Sequence, residues 1–226
     1  NMLMDEIEDI SVRKEIQPHK AFLYLYLKGS EDLSDEQIED VICVDKSRDG
    51  GCDGVYIDND LRLIKIFQSK YTAHFGEDAF NKDELLKIAK VAEYLQNISD
   101  YNRFRQYINS TLKEKLDKAY RYLSEHGFKL KFVFVTNHKN NPNKGVYEDS
   151  DVDLEILSSN DLKNKFERWM HGHSPELGLI KLPYVSILDG PNEPKSWIIN
   201  IKSSELKKIY LHYKTKLFSA NVRVFQ

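Results

Sequence analysis

The chain is poor in cysteine: Cys43 and Cys52 are the only two in 226 residues, and nothing near them has zinc-ligand spacing. A disulfide framework and a structural zinc site are thereby excluded, and both thiols are expected to be reduced and at or near the core. No apolar run reaches the roughly 18–20 residues that span a bilayer, and the start Asn1-Met2-Leu3-Met4-Asp5-Glu6 is acidic rather than the basic opening of a signal peptide. A cytoplasmic protein without a membrane partner is expected. Charge of one sign is also missing. The net charge is −3 and the pI about 6.2, so any contact with nucleic acid must use local basic patches rather than overall attraction. There is no phosphate-cradling glycine loop, no Gly-x-Ser-x-Gly elbow, no dinucleotide fingerprint and no internal repeat. His171 and His173 lack a third ligand close in sequence. Asp149, Asp151 and Asp153 lack the glycine and terminal glutamate of a calcium loop, and read as a solvated edge.

What is present is an ordinary globular composition, 41% apolar and 31% charged, with strong periodic signals. Pro18 followed by Ala21 to Leu27 predicts a mostly buried helix ended by Gly29. Ser34-Asp35-Glu36-Gln37 has the form of a capping box launching a short helix through Val41. Leu85, Leu86, Ile88, Ala89, Val91, Ala92 and Leu95 predict a helix over 83–96, and a second, longer helix is predicted over 101–126, ended by Gly127. Its Lys113, Lys115, Lys118 and Arg121 form a solvated basic face, with nucleic-acid contact as the functional alternative. Lys129 to Thr136 is the clearest buried strand. Strand signals recur at 152–157 and 196–201, and helices are predicted over 162–170, behind Ser158 to Asp161, and from Ser203 to about Leu217. The proline- and glycine-rich stretch 171–194, around the apolar run 182–188, is a linker or an insertion.

The centre of interest is a hairpin. Gly50-Gly51-Cys52-Asp53-Gly54-Val55-Tyr56-Ile57-Asp58 forms one strand with its approach, Asn59-Asp60 turns the chain, and Leu61 to Tyr71 returns through Phe67-Gln68-Ser69-Lys70-Tyr71. Strand side chains alternate, so Gln68 and Lys70 share the face of Ile64 and Ile66 and end an otherwise apolar row. Removing such polar groups from water costs on the order of several kcal/mol unless each finds a partner. Phosphodiester chemistry supplies one. A hard cation such as Mg²⁺ takes carboxylate, amide and carbonyl oxygens, which Asp53, Gln68 and the backbone carbonyl of Ser69 offer. Lys70 is placed to orient or deprotonate water and to offset charge on a phosphate. The plain rival is that Asp53 forms a turn and Gln68-Ser69-Lys70 a solvated edge. The glycines before Asp53 are expected to let backbone approach a ligand closely.

Asp53 with Gln68-x-Lys70 resembles the PD-(D/E)XK restriction-endonuclease-like superfamily, in the glutamine variant of Mrr-type enzymes. The stretch 49–58, Gln68-Ser69-Lys70-Tyr71 and the later Leu217-Phe218-Ser219-Ala220-Asn221-Val222-Arg223 are similar to the N-terminal part of abortive-infection phage-resistance (AIPR) proteins. The proline of the motif is replaced by Cys52, and the glutamate that relatives carry on their first helix has Glu36, Glu39 and Asp49 as candidate counterparts.

The resemblance implies an α/β fold, a restriction-endonuclease-like mixed β-sheet flanked by helices, with additional C-terminal α/β elements. It also implies a Mg²⁺-dependent nuclease, with Mn²⁺ as the substitute ion, that hydrolyses phosphodiester bonds of nucleic acid, DNA first, in phage defence. The expected division is a nuclease core over 1–170 and a C-terminal extension over 171–226 that leads into a further C-terminal region. By analogy, an enzyme making double-strand breaks pairs two sites, which points to a homodimer. The alternative is a catalytically inactive nuclease-fold module that binds nucleic acid or another protein.

Overall fold

The computed structural model describes residues 2–31, 33–43, 48, 50–73, 90–139, 153–170, 184–189 and 197–213. The chain divides into two compact units, Asn1–His171 and Gly172–Gln226.

The first unit is a mixed α/β structure, a four-stranded sheet with helices on both faces. Its elements are α1 (Met2–Arg13), α2 (Pro18–Ser30), α3 (Asp35–Val41), β1 (Gly54–Asp58), β2 (Leu63–Lys70), α4 (helical over 90–96), α5 (Ile98–Phe104), α6 (Ser110–His126), β3 (Lys129–Thr136), β4 (Leu154–Leu157) and α7 (Ser159–Met170). Strand order is β1-β2-β3-β4; β1 and β2 are antiparallel, while β3 and β4 follow in parallel. Strand parity assigns the two sides. Phe67, Val133 and Val135 pack against α1, α2 and α7, whereas Ile64, Ile66, Phe132 and Phe134 pack against α4, α5 and α6. Both central strands are therefore apolar on both faces, the expected state of strands covered by helices on each side.

Local chemistry starts and stops these elements. Pro18 occupies the first turn of α2, where its missing N–H costs nothing. Residues Lys20 to Leu27 are all buried, since α2 lies between the sheet, α1 and α7. Ser34 and Gln37 close a reciprocal capping box on α3. Gly127, at φ +62, ends α6 in the left-handed conformation. Ser158 donates both its amide (2.9 Å) and its hydroxyl (2.8 Å) to the Asp161 carboxylate at the start of α7.

Two expectations change, and one helix is added. An amphipathic helix, α1, precedes α2. The run over 101–126 is two helices, because Asn109 accepts from the Leu112 amide and starts α6 afresh. The break has a use. Asn109 N–H donates to the Arg48 carbonyl at 3.0 Å, and Gly50, at φ +59, lies so close to Phe104 that an added Cβ would meet the ring at 2.7 Å. That glycine lies against the Phe104 ring. The β1–β2 loop is longer than two residues, running from Asn59 to Arg62, with Arg62 at φ +52 and Asp58 accepting from the Leu61 amide at 2.9 Å.

The second unit holds β5 (Tyr184–Asp189) and β6 (Trp197–Ile201), an antiparallel pair with an irregularity between Tyr184 and Ser186, and then α8 (Ser203–Tyr213). Part of the proline-rich stretch is thus a strand. No helix among the described residues is long and apolar enough to cross a membrane.

Candidate functional site

The open end of the hairpin gathers polar groups inside an apolar core. Asp53 is 5% exposed, Gln68 2% and Ser69 fully buried. Asp53 is fastened through its backbone first: its amide donates to the Phe67 carbonyl at 2.8 Å, and its carbonyl accepts from the Cys43 amide at 2.9 Å. The Cys43 carbonyl in turn accepts from the buried Lys20 ammonium on α2. With the main chain held, the carboxylate turns towards β2. One oxygen, Oδ2, accepts from the Ser69 amide at 2.7 Å and lies 3.4 Å from the Ser69 hydroxyl. The other, Oδ1, is 3.5 Å from His19 Nε2 on the first turn of α2. The Ser69 hydroxyl donates to the His19 carbonyl at 2.7 Å, which ties the helix start to the strand.

Gln68 and Lys70 flank Ser69 and share the parity of Ile64 and Ile66, on the side of α4 to α6. The Gln68 Oε1 atom is buried and has no hydrogen-bond partner among the described residues. Beyond Lys70 the strand end is clamped by the fully buried Asn137, whose side chain accepts from the Thr72 amide at 2.9 Å and donates to its carbonyl at 2.6 Å. Strands β2 and β3 thus stay in register to the last residue of the motif, Lys70 opposite Thr136.

Of the sequence-derived candidates, Asp53 and Ser69 are in direct contact, and Gln68 and Lys70 adjoin Ser69 along β2. The acids proposed to join them are placed otherwise. Glu36 is exposed on the first turn of α3, and Glu39 pairs with Lys14. Neither is among the partners of Asp53. Asp49 lies outside the described residues. The end of the helix expected to about Leu217 and the 217–223 motif also lie outside them. Of the basic face on α6, Lys115 is bound to Asp40, whereas Lys118 and Arg121 are exposed.

Sequence reasoning missed His19 and Asn137. The signal for His19 was a polar pair, His19-Lys20, opening an otherwise apolar helix; Asn137 follows a buried strand directly and carries no such mark.

The donors suit a hard cation. Asp53, Gln68 and the Ser69 carbonyl are oxygen ligands of the type that Mg²⁺ accepts, and an orphaned buried amide oxygen is the group such an ion would satisfy. Carboxylate charge is scarce: among the described residues no three His, Cys, Asp or Glu side chains group together to hold a metal. No family model, no curated protein and no solved structure matches the chain.

Proposed function

We propose that this chain is a divalent-cation-dependent nuclease that hydrolyses phosphodiester bonds of nucleic acid, DNA before RNA, with a role in phage defence as the resemblance implies. The observation that carries the reading is the Gln68 amide oxygen, buried and without a partner among the described residues, next in sequence to the residue that holds Asp53. Leaving such an acceptor unsatisfied costs about 1–3 kcal/mol, a penalty a fold retains where a bound group offsets it. In this reading Asp53, Gln68 and the Ser69 carbonyl hold the cation. The cation supplies Lewis acidity towards the phosphate and a more acidic water. Lys70 orients or deprotonates that water and compensates charge building on the phosphate oxygens. The clamp by Asn137 keeps Lys70 in place relative to Ser69, since misplacement by even an ångström is costly to catalysis.

The test is cleavage of duplex DNA, single-stranded DNA and RNA with Mg²⁺, with Mn²⁺ and with chelator, beside Asp53→Ala. Cation-dependent cutting that vanishes in the variant is expected. Cutting by the variant at the parental rate would remove the hairpin from consideration. A second reading, a catalytically silent nucleic-acid-binding module, is favoured by one observation: both Asp53 oxygens already face partners on Ser69 and His19, and neither described glutamate candidate is one of them. Binding without cutting in every buffer would decide for it.

A further inference from the structure

The pairing of His19 with Asp53 is not a good hydrogen bond. Their closest atoms, Nε2 and Oδ1, are 3.5 Å apart, beyond the usual 2.7–3.2 Å or so for nitrogen and oxygen partners. Yet the contact is not accidental, because the Ser69 hydroxyl holds the His19 carbonyl at 2.7 Å and the Ser69 amide holds the other Asp53 oxygen at 2.7 Å. One residue of β2 thus holds the His19 main chain and the Asp53 carboxylate together. Two ligand atoms bound to one ion at about 2.0–2.2 Å each lie roughly 2.8–3.6 Å from one another, from the octahedral to the tetrahedral angle. Asp53 Oδ1 and His19 Nε2 have the separation of neighbouring ligands. The side chain of His19 is 28% exposed, open enough for an ion to enter, while Asp53 is nearly closed off.

We propose that His19 is a ligand of the cation site, supplying through Nε2 the protein donor that neither Glu36 nor Glu39 provides, and that the site therefore prefers a first-row transition-metal ion such as Mn²⁺ to Mg²⁺. Imidazole nitrogen is a poor ligand for Mg²⁺, which keeps to oxygen and water, and a better one for the softer divalent ions of the transition series. The site is that of the proposed nuclease, and the inference rests on that reading for the presence of a cation at Asp53; Gln68, by strand parity on the face of α4 to α6, does not enter it. The contact of His19 with Asp53 stands by itself.

The test is Mn²⁺ and Mg²⁺ binding to the whole chain, followed by pulsed electron paramagnetic resonance of the Mn²⁺ form, in which the spin-echo modulation resolves the hyperfine coupling of an imidazole nitrogen bonded to the ion. The expected result is tighter binding of Mn²⁺ than of Mg²⁺ and nitrogen coupling in the parent. In His19→Gln and His19→Ala the coupling should be lost and Mn²⁺ affinity should fall on the order of 10–100-fold or more. His19→Gln retains a polar side chain at the helix start, so it serves if the alanine variant does not fold. Absence of nitrogen coupling in the parent, coupling that survives in the variants, or no Mn²⁺ binding at all would each overturn the proposal. Nucleic-acid cleavage with no nitrogen coupling sinks the ligand and leaves the nuclease; coupling without cleavage keeps the ligand and sinks the nuclease.

Discussion

One hairpin carries two aspartates buried to the same extent, Asp53 at its open end and Asp58 at its turn, each 5% exposed. Asp58 accepts from the Leu61 amide three residues on, a local turn interaction. Asp53 reaches 16 residues ahead to the Ser69 amide and lies against His19, 34 residues behind it. Burial alone therefore does not tell the two acids apart; the reach of Asp53 across the fold does. A turn former is satisfied by its neighbours in sequence. Asp53 instead joins the end of β2 to the start of α2.

The sharpest break of this comparison is kinetic. Lys70→Ala and Asp53→Asn should each lower cation-dependent cleavage on the order of 10²–10³-fold or more, measured as initial rates on one nucleic-acid substrate, whereas Asp58→Asn should leave the rate near the parent's. Comparable losses from both aspartates would show that the two ends do not differ in function.

Stability should reverse the order. Asp58→Ala removes the acceptor of the Leu61 amide and should cost about 1–2 kcal/mol in urea unfolding, while Asp53→Asn, which retains an acceptor for the Ser69 amide, should change stability by less than about 1 kcal/mol. Gln68→Met sharpens the contrast further. It replaces an unsatisfied buried amide by an apolar chain of similar length, so the domain should gain about 1 kcal/mol while losing cleavage, the exchange of stability for activity expected where a site holds an uncompensated group.

The smallest effect is a titration at the turn end. Tyr56 is pushed up to about 12 by burial first and then by the negative charges of Asp58, Glu31 and Asp60. An acid whose pKa is raised on folding contributes stability that is complete below the unfolded value, about 10, and is lost as pH climbs through the folded one. The Tyr56 ring resonances should follow this titration, and Asp58→Asn should move it to lower pH by removing one negative neighbour, whereas Asp53→Asn should not.

Much of the frame was legible because it depends on few residues at a time. The capping box of Ser34 and Gln37, the stop at Gly127 and the start of α7 at Ser158 and Asp161 are interactions across at most four or five positions. The alternation that puts Gln68 and Lys70 with Ile64 and Ile66 is a property of any strand. The continuous helix expected over 101–126 failed for the complementary reason. Apolar residues keep helical spacing through 105–109, and what breaks the run is a cap at Asn109 whose amide is held by Arg48, some sixty residues away. The length of the β1–β2 loop depended on the positive φ of Arg62, a conformation that its residue type does not announce.

By itself the sequence determined the alternating helices and strands, the hairpin, and the presence of an acid and a Gln-x-Lys on its two strands, because periodicity and capping act over a turn or a strand. Only the tertiary structure decided that Asp53 turns to Ser69, that His19 stands beside it, that Asn137 clamps the strand end and that Glu39 is occupied by Lys14. Each of these contacts joins elements distant in the chain. Their geometry is set by where the start of α2 docks on the sheet and by the register of β2 with β3, and packing of the two cores settles both.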